Sequence, residues 1–155
     1  MNWISATISP LKDLIAFLYN KGKTNDVNKR QIIRELRGNL IVFENAFINQ
    51  VTSDVVIDNL ANEAIKEAIR ANFDFDKIKS GKIHTADIKD ERNRKYEGWT
   101  AGRLLEKIDE KIEELKTIKR LKGSADQAKN NTTLMLSNLY FRMKLLAEFI
   151  QGPRS

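Results

Sequence analysis

The sequence predicts an all-α fold: an up-and-down bundle of four to five helices, with one loop or small-hairpin insertion at about residues 72–99. Three observations predict it. Apolar residues recur at three- and four-residue spacing through most of the chain, the period of a helix with one buried face. Only two prolines and seven glycines occur, too few to cut the chain into the short strands of an all-β fold. The helical stretches are separated by short connections, which make antiparallel neighbours. A chain of 155 residues can bury a sizeable core, so residues 1–155 are read as a single helical-bundle domain.

A first helix is expected with Ser9 as N-cap and Pro10 in its first turn. Leu11, Leu14, Ile15 and Leu18 form its apolar stripe, and Gly22 ends it. Residues 3–8 are read as a short turn leading into it. A second, long helix starts near Asp26 and turns Ile32, Ile33, Leu36, Leu40, Phe43 and Phe47 inward. Gly38 sits inside it at a cost of about 1 kcal/mol relative to alanine. A third helix is capped by Ser53, with Asp54 at the positive end of its dipole. Val56, Leu60, Ala64 and Ile65 are its inner face.

Residues 72–99 lose the helical period. Ser80-Gly81 marks a turn, and a hairpin, an ordered loop and a short helix over 86–96 all fit. A fourth helix runs from Thr100 to Lys122 and stops at Gly123. It buries Leu104, Leu105, Ile108, Ile112, Leu115 and Ile118. The fifth opens on a capping box of Ser124 and Gln127 and runs to Gln151, before Gly152-Pro153.

That last helix is apolar on two sides. At about 100° per residue, one face carries Ala128, Thr132, Met135, Leu139, Met143, Leu146 and Ile150. The opposite face carries Leu134, Phe141 and Leu145. Either this helix is wrapped at the centre of the bundle, or its second face is covered by another chain. The second alternative makes Leu134, Phe141 and Leu145 an interface, with a second copy in a dimer or with another protein.

Composition excludes several chemistries. With no cysteine there is no disulfide, thiolate nucleophile or iron–sulfur cluster, and a cytoplasmic location is expected. The N-terminal stretch lacks a basic leader, and Lys12 and Asp13 interrupt its apolar part. Its longest apolar run, Leu14 to Tyr19, falls far short of the roughly 20 residues of a spanning helix, so no membrane partner is expected. Abundant Lys, Ile and Asn suggest a bacterial or phage origin. The single histidine, His84, has Asp87 nearby but no nucleophile elbow to serve. Glu106, Asp109, Glu110 and Glu113 fall within about 100° of arc, spaced like metal-ligand pairs. That arc lies opposite the apolar stripe and is expected to face solvent, so neither a metal site nor a cofactor is expected.

Charge leaves two surfaces to consider. The net charge is +6. Arg30, Arg34 and Arg37 fall within about 60° on the second helix; they can grip phosphates, or pair with the acidic segment 44–76. Arg92, Arg94 and Lys95 stand beside Tyr96 and Trp99, a mixture that suits single-stranded nucleic acid. Interleaved Asp87, Asp90, Glu91 and Glu97 weaken that attraction, and Trp99 is expected to pack onto the helix that follows it. The reading is a non-catalytic adaptor or regulatory protein that self-associates. The alternative is a nucleic-acid-binding protein using the basic stripe, and the third is a hydrolase drawing on Glu106, Asp109 and His84.

Overall fold

The computed structural model describes residues 8–128 and 131–153. Six α-helices pack against one another: α1 (Ile8–Lys21), α2 (Val27–Asn49), α3 (Ser53–Asn59), α4 (Glu63–Arg70), α5 (Ala101–Lys122) and α6 (Thr132–Gln151). Short 3₁₀ turns at Phe75–Lys77, Thr85–Asp87, Glu91–Tyr96 and Ala125–Gln127 join them. The described residues contain no strand, only one isolated bridge between Lys82 and Thr100. The fold is an all-α bundle.

Local chemistry sets most of the helix ends. The Asp26 side chain accepts from the Lys29 N–H at 3.1 Å to open α2. Thr100 does the same for Arg103 at 3.2 Å to open α5, and Gly123, at φ 78°, ends it. Three expectations are corrected. Ser9 lies inside α1 and is not its cap; the turn expected at residues 3–8 falls outside the described residues except for Ile8, which is helical. Thr52, not Ser53, caps α3. The Ser124–Gln127 box opens only a 3₁₀ turn, and α6 starts at Thr132 with Asn131 accepting from the Leu134 N–H at 3.0 Å.

The expected third helix is two helices, because α2 breaks it. Asn39 of α2 is 2% exposed and holds both polar groups of Ala61: its Nδ2 donates to the carbonyl, and its Oδ1 accepts from the N–H, each at 2.8 Å. Glu35, one turn earlier, accepts from the Ala64 and Ile65 N–H groups at 2.7 and 3.3 Å. It thereby supplies the cap that Asn62 does not. Leu60 is left extended, at ψ 140°.

Residues 72–99 fold as an ordered loop and form no hairpin. Ile83 and its partners close its base: the Ile83 N–H donates to the Trp99 carbonyl at 2.9 Å, and Gly98 donates back to Ile83 at 2.8 Å. Buried Ile78, Ile83 and Tyr96 anchor the loop to the helices.

That loop decides the fate of α6, which packs against α1, α2, α3, α5 and the turns at 85–87 and 91–96. Every residue from Leu139 to Ala147 is buried, so no side of this stretch meets solvent. Phe141 is 4% exposed and Leu145 0%. The Arg92 guanidinium lies 3.9 Å from the centre of the Phe141 ring, and the Asn93 amide donates to the Phe141 carbonyl at 3.0 Å. Phe141 and Leu145 are therefore core, covered from within the chain: of the two alternatives this is the wrapped helix, and these two side chains do not form the contact face of the other. Leu134 alone of that trio is open, at 52% exposure.

Candidate functional site

The arginines of α2 are dispersed by their neighbours. Arg30 donates to the Thr24 carbonyl at 3.3 Å and ties down the turn before the helix. Arg34 is exposed but shares a shallow hollow with Glu35, Glu63 and Glu67. Arg37 lies 5.0 Å from the centre of the Tyr19 ring, and its Nε is buried without a partner. These three do not present a bare row of cations.

The expected acidic arc of α5 splits. Glu106 and Glu110 are exposed, while Asp109 and Glu113 turn toward α4 and accept from the Asn62 amide at 2.8 and 2.9 Å. Glu113 also pairs with Lys66. Burial pushes the Asp109 carboxyl above its usual range, and the Lys66 and Asn62 hydrogen bonds hold Glu113 below its own. No group of three metal-ligating side chains stands together among the described residues. His84 is exposed on the loop, where its backbone N–H donates to Asp87 at 2.9 Å.

In the basic lead-in, Arg92 is engaged with Phe141, Asp90 and Ser137, and Arg94 pairs with Glu91 at 2.7 Å. Lys95 lies 5.5 Å from the centre of the Tyr96 ring and lines a cleft of about 400 Å³ between the loop, α5 and α6. Three spacings build this cleft. Lys107 and Lys111 stand four apart on α5, Met135, Asn138 and Arg142 three and four apart on α6, and Tyr96 and Trp99 close it from the loop. Four of the lining residues are cations, and none carries a carboxylate. Lys107 and Lys111 do reach Glu110 and Glu114 at 3.4 and 3.0 Å, but these are partly exposed pairs one turn apart and offset little charge.

Arg142 is the unusual member. It is 4% exposed because α5 and the 91–96 turn wrap α6 at this level. Its Nε donates to the Tyr96 hydroxyl at 2.8 Å, and the guanidinium lies 5.4 Å from that ring's centre. Its Nη1 is buried with no hydrogen-bond partner, and no carboxylate pairs with it among the described residues. Hiding an uncompensated cation costs several kcal/mol, which an anion reaching it would offset. Trp99 is half-buried and fixed from two directions, by Tyr96 edge-to-face at 4.8 Å and by Arg103 at 3.8 Å.

Lys95, Tyr96 and Trp99 were prominent in the sequence; Arg142, Lys107, Lys111 and Asn138 were not. The readable signal for Arg142 was its place between Phe141 and Met143, in a helix apolar on two sides, where a cation has no solvated face. No protein-family model, curated protein or solved structure matches the chain.

Proposed function

We propose that this protein is a non-catalytic binding protein, and that its working site is the cationic cleft, which takes an anionic ligand of phosphate or carboxylate type. One observation carries the reading: Arg142 is buried, lacks a counter-ion and opens onto a cleft lined by three lysines. A guanidinium fork suits planar or tetrahedral oxyanions, and charge-assisted hydrogen bonds are the stronger kind. The reading is one of recognition, and it assigns the lining residues no catalytic role. The expected cytoplasmic setting belongs to the same reading. The burial of Phe141 and Leu145 removes the argument for self-association through that face of α6.

The test is calorimetric titration of the full chain with pyrophosphate at low salt. Binding should weaken at least roughly tenfold in Arg142→Met, the scale of a lost hydrogen bond to a charged group, and should fade as salt screens the lysines. Equal binding by wild type and variant, or no binding by either, sinks the reading.

A further inference from the structure

Resting on that reading, we infer that the anion is carried by a flat heterocycle: the cleft is built for a mononucleotide. The cleft is divided in character. Arg142, Lys107 and Lys111 supply a cationic part, while Trp99 and Met135 supply an apolar, polarizable one. Inorganic phosphate satisfies only the first. A cavity of about 400 Å³ falls within the roughly 300–1,000 Å³ of small-molecule sites.

Arg103 covers one face of the Trp99 indole and Tyr96 meets it at a steep angle, so a base would have to stack on the opposite face, and the fixed indole would lose little by being ordered. Asn138 adds an amide, which offers both a donor and an acceptor to the edge of a base.

The surroundings favour a single nucleotide over a strand. A strand needs cations that continue along its backbone on either side. Beside the cleft, Arg92 is engaged on Phe141 and Ser137, and Arg103 on Trp99.

The experiment compares four probes on the full chain: adenosine 5′-monophosphate, ribose 5-phosphate, pyrophosphate and a single-stranded thymidine oligomer. Trp99 emission is followed with Trp3, the only other tryptophan, replaced by phenylalanine. The nucleotide should bind roughly tenfold or more tightly than ribose 5-phosphate, the scale of stacking on an aromatic side chain, and should change Trp99 emission. Asn138→Ala should narrow that preference; an unchanged ratio between the two probes would remove Asn138 from the base-binding role. If the nucleotide binds no better than ribose 5-phosphate while pyrophosphate still depends on Arg142, the nucleotide inference falls and the anion site stands. If pyrophosphate does not bind at all, both fall. If the oligomer binds most tightly, with a steep salt dependence, the site reads a strand and the inference is overturned.

Discussion

The junction between α2 and α4 and the cleft on α6 both hide polar side chains, and they treat them differently. At the junction, Asn39 and Asn62 are each 2% exposed. Asn39 uses both ends of its amide on Ala61, and the Nδ2 of Asn62 is shared between Asp109 and Glu113. Glu35 takes two backbone N–H groups of the first turn of α4. On α6, Arg142 is nearly as deep, yet its Nη1 has no partner. A fully satisfied network fixes the backbone around it. An open valence at comparable depth adds nothing to the fold on its own, and its use lies in what comes to fill it.

The largest expected effect separates the two regions by stability. Asn39→Ala removes both hydrogen bonds to Ala61 and leaves a void beneath the α3–α4 break. It should cost about 2 to 3 kcal/mol, read from urea unfolding. Arg142→Met keeps the volume and deletes an uncompensated buried charge. It should leave stability unchanged or raise it, by up to a few kcal/mol. If Arg142→Met costs as much as Asn39→Ala, Arg142 is a structural residue and the contrast collapses.

A smaller effect sharpens the contrast through pH. The junction contains carboxylates and the lining of the cleft has none. Burial raises the Glu35 carboxyl above its ordinary 4.5, against the lowering pull of the Ala64 and Ile65 N–H groups. The folded protein therefore holds this proton more tightly than the unfolded chain does. Stability falls as pH rises from 4.5 toward the raised value. Asp109 has the same sign above its ordinary 3.8, whereas Asp54 and Glu113, which are lowered, stabilise above 3.8 and 4.5 and lose that contribution as pH falls. Glu35→Gln should flatten part of the decline above pH 4.5 when urea midpoints are followed toward neutrality. Parallel profiles for the two proteins would mean that burial of Glu35 does not govern this slope.

What the sequence could show follows from the range of each interaction. The start of α2 and both ends of α5 were legible because Asp26, Thr100 and Gly123 act on backbone within four residues of themselves. The α3–α4 break was not, because Asn39 and Glu35 impose it across separations of 22 and 29 residues. The doubled apolar character of α6 was visible. Choosing between a wrapped helix and an interface required knowing that Arg92, Asn93 and Tyr96 fold back over it. The cleft was half legible for the same reason. Its loop side stood out as Lys95, Tyr96 and Trp99, while its other cations sat unremarked on two helices that only the fold brings together.

The smallest effect contrasts two helical glycines on either side of the same divide between closed and open surroundings. A Cβ added at Gly38 meets nothing within 4 Å. Gly38→Ala therefore gains helix propensity and restricts the unfolded chain without a clash, and should stabilise by about 0.5 to 1 kcal/mol. A Cβ added at Gly102 lies 3.0 Å from the Cβ of Phe75, at the seam where the loop packs onto α5. There the same propensity gain is opposed by the need to push Phe75 away, so Gly102→Ala should gain nothing or destabilise. Paired thermal unfolding of the two variants decides it. Equal stabilisation by both would mean that the loop shifts freely on α5, and a loop that shifts freely cannot hold Tyr96 against Arg142.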